Sequence, residues 1–132
     1  MRQKVTKMGK SKNSIESDEN NGLNVVVVEG VVKQEPTLRE LGDGEFVREF
    51  IVATYLDGRQ VKTPVVCREA LGASLGAGDE VTIVGHVHMR FFATGGRVTS
   101  RTEVVAKQVF GARARSARTK ALSGVIQVLE GL

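Results

Sequence analysis

Two segments near the end of the chain decide the fold, EVTIVGHVHMRFF at residues 80–92 and RVTSRTEVVAKQV at residues 97–109, with Gly95 and Gly96 between them. Both segments are rich in β-branched and aromatic residues, which favour strands. Adjacent glycines readily adopt the positive φ angles that a tight hairpin turn requires. We therefore predict two antiparallel strands joined by a hairpin.

Three further strands are predicted upstream of this hairpin. They are LNVVVVEGVV at 23–32, FVREFIVATY at 46–55 and QVKTPVVC at 60–67, and Asp57-Gly58 is a hairpin signal between the second and third. Between the third and fourth strands, apolar residues at 70, 71 and 75 have helical spacing, but glycines at 72 and 76 limit that helix to one or two turns. An all-β chain of five strands, with one short helix between strands 3 and 4, has the element order of the OB-fold. This small Greek-key barrel often binds oligonucleotides.

The composition divides the chain into three parts. Its 132 residues, 41% of them hydrophobic, suffice for one domain with one core. Residues 1–22 are predicted to form a flexible polar and basic arm, residues 23–110 the barrel, and residues 111–132 a basic tail. Residues 23–84 carry six basic and ten acidic side chains, whereas residues 85–110 carry four basic and one acidic. Positive charge is therefore concentrated in the predicted hairpin and in the tails.

Several classes of protein are disfavoured by what the sequence lacks. No stretch resembles a membrane span or a secretory signal, so the expected location is the cytoplasm. The single cysteine, Cys67, forms no internal disulfide and ends an apolar run, as a buried side chain does. His86 and His88 project from one side of a strand, but no third metal ligand accompanies them. Because phosphate-binding, nucleophile-elbow and dinucleotide motifs are also missing, we predict no cofactor, no metal and no enzymatic activity.

The alternation of side chains along the fourth strand separates two chemically different faces. One face is apolar and consists of Val87, Met89 and Phe91. The other is cationic and aromatic and consists of His86, His88, Arg90 and Phe92, with Arg97 and Arg101 on the neighbouring strand. Arginine neutralises phosphate, and the stacking of an aromatic ring on an unpaired base contributes about 1–3 kcal/mol to binding. The pattern is typical of a surface for single-stranded nucleic acid; a solvated barrel face with one exposed phenylalanine is the alternative.

Four segments resemble the bacterial single-stranded DNA-binding proteins of the SSB family. They are residues 23–39, 44–54, 75–85 and 101–106, and their order and spacing are those of the family. The resemblance implies an OB-fold domain that assembles as a homotetramer, or as a dimer, and binds single-stranded DNA without sequence preference. It also implies a role in DNA replication, recombination and repair, and a nucleoid-associated location in the cytoplasm.

The resemblance carries over to individual positions only in part. Phe92 falls where the family has a base-stacking tryptophan, and Arg90 falls on the arginine of the same stretch. The family's other stacking aromatics fall near Val61, Lys62 and Arg68, where this chain has none. Phe50 and Phe91 are expected in the core. The expected nucleic-acid-binding residues are Phe92, Arg90, His88, Arg97 and Arg101, with Tyr55, Lys62, Arg48 and Lys33 as compensating contacts.

The C-terminal residues depart from the SSB pattern. That family ends in an acidic tip that recruits partner enzymes, whereas residues 111–132 carry four basic side chains and one acidic one. Recruitment of repair enzymes through an acidic tip is therefore not expected. The tail is either disordered, or its apolar residues pack on a neighbouring subunit or form an edge strand. The alternative function is an OB-fold adaptor resembling primosomal replication proteins, which acts mainly through protein contacts.

Overall fold

The computed structural model describes residues 21–132, so all but the last two residues of the predicted N-terminal arm lie outside the described range. The elements follow one another along this part of the chain in this order: β1 (Val26–Val32), β2 (Thr37–Glu40), β3 (Phe46–Leu56), β4 (Arg59–Arg68), a short 3-10 helix (Glu69–Gly72), β5 (Glu80–Thr94), β6 (Arg97–Gly111) and α1 (Arg115–Glu130). The two longest strands, β5 and β6, are the hairpin that the sequence predicts.

Five of the strands close into a barrel. β1 pairs with β5, β5 with β6, and β3 with β4, all antiparallel, while β4 and β6 run parallel. The barrel closes where Val31 and Val32 of β1 pair with Ala53 and Val52 of β3. The resulting order, β1-β5-β6-β4-β3 and back to β1, is that of the OB-fold, so the predicted five-stranded barrel is confirmed.

Two glycines allow the barrel to close tightly. A Cβ atom on Gly30 would lie 2.1 Å from the carbonyl oxygen of Ala53, and one on Gly85 would lie 2.0 Å from that of Val105. No side chain fits at these distances. The β5–β6 register also shifts between Val84 and Gly85, as at a β-bulge, which bends the long hairpin. Glycine is therefore required at both positions, because the backbone of the neighbouring strand lies too close for any side chain.

The barrel interior is filled by small, mostly β-branched side chains. The core consists of Val32, Phe50, Val52, Val65, Cys67, Val81, Ile83, Val104 and Ala106. Full burial of a valine or isoleucine stabilises a fold by about 1.5–3 kcal/mol. Burial raises the pKa of the Cys67 thiol, and the nearby charge of Arg48 opposes that shift only in part. Cys67 therefore acts as a small core side chain.

The predicted position of the helix is wrong. Between β4 and β5, the chain forms only the 3-10 turn Glu69–Gly72, whereas the α-helix follows β6. Gly72, Gly76 and Gly78 lie within seven residues and oppose a longer helix. In contrast, residues 115–130 contain no proline and are rich in alanine, leucine and long-chain residues, which favour a helix. The helices of the described part of the chain do not have both the length and the apolarity needed to cross a membrane.

A short strand was also absent from the prediction. No strand is predicted between residues 32 and 46, but Thr37–Glu40 forms β2 and pairs with Phe46–Glu49 of β3. A tight turn joins the two strands, in which Leu41 N–H donates to the carbonyl of Glu45 at 2.6 Å. β2 lies outside the closed barrel, at the edge of β3. Its four residues are too few for an alternation pattern to be recognised in the sequence.

Candidate nucleic-acid interface

The β5–β6 hairpin brings the predicted cationic residues to one side. Its register pairs Arg90 with Arg101, and residues that face each other in a ladder project from the same side. That side points away from the barrel core, because Ile83 and Val104, at the other parity, are core residues. We call it the outer side of the hairpin; its predicted binding residues are His88, Arg90, Phe92, Arg97 and Arg101.

Arg90 is held by three neighbours on the outer side. Its guanidinium carbon lies 4.9 Å from the centre of the Phe92 ring. Its Nε lies 3.4 Å from Oε2 of Glu103, whose side chain is only 4% exposed. Its Nη2 lies 3.9 Å from Oε2 of Glu49. The two carboxylates therefore largely neutralise the guanidinium charge of Arg90. The main role of Arg90 is to position Phe92, and it has little free charge for a phosphate.

The ion pairs extend from the hairpin to β2. Arg39 on β2 donates from Nε to Oε2 of Glu49 on β3 at 2.7 Å, and the same oxygen faces Arg90. The network thus joins β2, β3, β5 and β6 across the outer surface. Arg39, Glu49 and Glu103 were not predicted from the sequence. The sequence contains one indication of the Glu103 ion pair, because Glu103 is the single acidic residue in the basic segment 85–110.

Arg97 and Arg101 supply the free positive charge of the outer side. Both are exposed, and within residues 21–132 neither forms a salt bridge. Arg101 lies directly opposite Arg90, and Arg97 lies near the turn, opposite Thr94. His88 is exposed and faces Glu103 across the ladder. The described residues contain no group of three or more metal-ligating side chains, at His86 and His88 or elsewhere.

The two phenylalanines of the hairpin lie on opposite sides. Phe92 is partly buried on the outer side, whereas Phe91 is 66% exposed on the other, which we call the core side of the hairpin. The prediction that Phe91 belongs to the core is wrong. Phe91 has the same parity as the core residues. However, β5 and β6 extend past the barrel, so no residue within the described range 21–132 covers this part of the strand. Val87 and Met89 are exposed there for the same reason.

A second group of predicted residues lies at the far end of β3 and β4. Tyr55 is 71% exposed, and its hydroxyl accepts a hydrogen bond from Nε2 of Gln60 at 3.2 Å. Lys62 projects from the same side of the β3–β4 ladder as Tyr55. A cleft of about 710 Å³ separates β1 from this hairpin, and Lys33, Val31 and Tyr55 are among its lining residues. Tyr55, Lys62 and Lys33 are thus grouped together, apart from the β5–β6 hairpin.

Arg48 belongs to neither group. Its Nε donates to the main-chain carbonyl of Glu69 at 3.1 Å, and its Nη2 lies 3.9 Å from the Glu69 carboxylate. Its side chain also packs close to Gly72. Arg48 therefore fixes the 3-10 turn after β4, and the structure does not bring it to the outer side of the hairpin.

Comparison with known proteins identifies the fold. No protein-family profile and no curated protein sequence matches the chain. Among solved structures, the chain is similar to the Plasmodium falciparum SSB in complex with ssDNA, with a TM-score of 0.57 and 21% sequence identity. The match covers 70% of this chain and 96% of that one. It supports an SSB-like OB-fold, and it does not single out the bacterial SSB proteins.

Proposed function

We propose that this chain binds single-stranded DNA without sequence preference, through the outer side of the β5–β6 hairpin. The observation that carries the proposal is the hairpin register, which puts Arg97 and Arg101 on the same side as Phe92. Arginine neutralises the DNA backbone and a phenyl ring stacks on any unpaired base, so neither contact reads base identity. The likeness in fold to an SSB that was solved with ssDNA supports the proposal.

The mechanism is binding without catalysis. Arg97 and Arg101 hold phosphates while Phe92 stacks on a base, and duplex DNA is disfavoured because its bases are already stacked on each other. Tyr55, Lys62 and Lys33 provide a second contact region, which lies on β3, β4 and the end of β1. A DNA strand that contacts both the outer side of the β5–β6 hairpin and this second region would follow the barrel surface across β4. We further propose that the chain acts in DNA replication, recombination or repair, as a nucleoid-associated homotetramer.

The test is a titration of fluorescent oligo-dT, compared with duplex DNA of the same length, at low and high salt. We expect the single strand to be preferred and its affinity to fall with salt. Arg101→Gln should lower the slope of log affinity against log salt by about 0.7, the value for one lost contact to single-stranded DNA. Lys120→Gln, which removes one charge from α1, should leave the slope unchanged. Equal affinity for duplex DNA, or equal slopes for both variants, would overturn the proposal.

An OB-fold adaptor that acts through protein contacts is the second candidate. The exposed core side of the hairpin favours it, because nucleic acid offers no comparable partner for the aliphatic side chains of Val87 and Met89. This candidate predicts no oligo-dT binding even at low salt and a dimeric mass in solution. The same titration therefore distinguishes the two functions.

A further inference from the structure

β4 and β6 each carry three cationic side chains, and most of these lie on one side of the sheet. The two strands run parallel, with Val65 opposite Val104 and Val66 opposite Val105. Because Val65 and Val104 belong to the core, residues with the parity of Val66 and Val105 point away from it. This outward side carries Lys62 and Arg68 of β4 and Arg97, Arg101 and Lys107 of β6. The remaining cation, Arg59, has the opposite parity, so the outward side of these neighbouring strands is strongly basic.

The parallel register places these cations opposite each other at two levels. Three residues before the first of the two ladder pairs, Lys62 lies level with Arg101. Two residues after the second ladder pair, Arg68 lies level with Lys107. At about 3.3 Å per residue, the two levels are about 20 Å apart along the strands. The outward surface therefore has two cationic pairs in line, one next to the β5–β6 hairpin and one at the end of β4.

Neither cationic pair has an acidic partner within residues 21–132. All four side chains are exposed, and none of them forms a salt bridge there. Glu69, which follows Arg68 in the chain, faces Arg48 instead, at 3.9 Å. Glu103, which lies between the two levels on β6, is buried and pairs with Arg90. Like charges side by side on neighbouring strands destabilise a sheet. A bound anion removes that repulsion, so each pair is suited to an anionic ligand.

The surface between the two pairs is largely apolar and adjoins the Phe92 ring. On the outward side, Val66 is buried and Val105 is half-buried. The guanidinium of Arg90, which pairs with Glu103 on β6, lies 4.9 Å from the centre of the Phe92 ring. A single small anion cannot reach both cationic pairs across about 20 Å. A flexible polyanion whose bases are free to stack, such as single-stranded DNA, reaches both pairs and the ring.

We propose that Arg68 and Lys107 form a further phosphate-binding site, on which a DNA strand held at Arg101 and Phe92 continues along β4 and β6. The inference rests on the proposed function, because it extends the path of the same single strand beyond the hairpin. Arginine and lysine neutralise backbone phosphates without reading the bases. The added site lengthens the contact by about 20 Å along the barrel. A longer contact is compatible with the roughly 4–16 nucleotides that one OB-fold binds.

The test measures the salt dependence of oligo-dT binding by the full chain. Arg68→Gln and Lys107→Gln should each lower the slope of log affinity against log salt by about 0.7, the value for one lost contact to single-stranded DNA. The matched control is Arg59→Gln, which removes the same charge from the same strand as Arg68→Gln but on the opposite side. Its slope should equal that of the wild type. Equal slopes for all three variants would overturn the proposal.

A charge reversal tests whether Arg68 and Lys107 are neighbours. Lys107→Glu replaces a repulsive pair by an attractive one, so the melting temperature should rise while the affinity for oligo-dT falls. A substitution that only damages the fold lowers both quantities, and thermal unfolding therefore separates the two explanations. A melting temperature below that of the wild type, or an unchanged affinity, would contradict the pairing.

The same titrations separate a failure of this site from a failure of the proposed function. A wild type that does not bind oligo-dT overturns both. If the wild type binds and Arg101→Gln lowers the slope, but Arg68→Gln and Lys107→Gln behave like Arg59→Gln, the additional site alone is overturned. Equal losses of slope for Arg68→Gln on oligo-dT and on duplex DNA would identify a general contact to polyanions, and they would also overturn a site on the path of the single strand.

Discussion

The guanidinium carbon of Arg90 lies 4.9 Å from the centre of the Phe92 ring, and the same guanidinium meets the carboxylates of Glu49 and Glu103. A cation over an aromatic face contributes about 0.5–1 kcal/mol near a protein surface. The two carboxylates keep the cation in place, so one face of the ring is covered and the ring orientation is restrained. An unpaired base that stacks on Phe92, as we propose, would therefore approach from the other face of the ring.

Replacing Phe92 by leucine should weaken oligo-dT binding about tenfold, because the substitution removes a stacking contact of about 1–3 kcal/mol. The matched control is Phe91→Leu, which makes the same chemical change one residue earlier, on the core side of the hairpin. Fluorescence titration at one salt concentration checks both variants. Equal losses in the two would remove Phe92 from the proposed site.

Replacing Glu103 by glutamine should free the charge of Arg90 for phosphate. We expect the salt dependence of oligo-dT binding to become steeper. The slope of log affinity against log salt should increase in magnitude by about 0.7, which corresponds to one additional phosphate contact. The protein should also lose roughly 1–3 kcal/mol of stability, because a buried polar group loses its charged partner. Titrations at several salt concentrations and urea unfolding measure the two effects.

The control for Glu103→Gln is Glu45→Gln, which removes the same charge from the exposed turn between β2 and β3. It should change neither the salt slope nor the stability by a comparable amount. If both substitutions steepen the slope equally, the effect comes from net charge, and the Arg90–Glu103 pair has no specific role.

Alanine at Gly30 should destabilise the barrel, because its Cβ would lie 2.1 Å from the Ala53 carbonyl oxygen. The substitution forces β1 and β3 apart where the barrel closes, which should lower the free energy of unfolding by roughly 2–4 kcal/mol. Gly42→Ala is the matched control, since its Cβ meets nothing within 4 Å. Thermal unfolding followed by circular dichroism checks the pair, and a similar melting temperature for both variants would contradict the close approach.

Arg118 of α1 forms an ion pair with Glu29 of β1, and this anchor predicts an acid-dependent loss of stability. The Thr82 hydrogen bond and Arg118 lower the pKa of Glu29 in the folded state, so its contribution is present above the ordinary value of 4.5 and is lost as the pH falls through the lower folded value. We expect the melting temperature of the wild type to approach that of Glu29→Gln as the pH is lowered below 4.5. Parallel pH profiles for the two proteins would argue against the anchor.

The strands of the barrel could be predicted because their signals are local. The β-branched runs, Asp57-Gly58 and Gly95-Gly96 lie in the sequence where the strands and turns occur in the structure. The assignment of Arg90 and Phe92 to one side of β5 is equally local, since it depends only on alternation. β2 and the α-helix were missed because a four-residue strand has too short a pattern, and because the apolar residues of α1 also suit an edge strand or a disordered tail.

The sequence by itself determined the five barrel strands, the two hairpin turns and the division of β5 into a cationic side and an apolar side, because each depends on neighbouring residues. Only the tertiary structure decided how those side chains are used. Glu49 reaches Arg90 from a strand 41 positions earlier in the chain, a contact that depends on barrel closure and register. Phe91 is exposed because β5 is longer than the barrel it belongs to, and strand length relative to the core is a property of the assembled sheet.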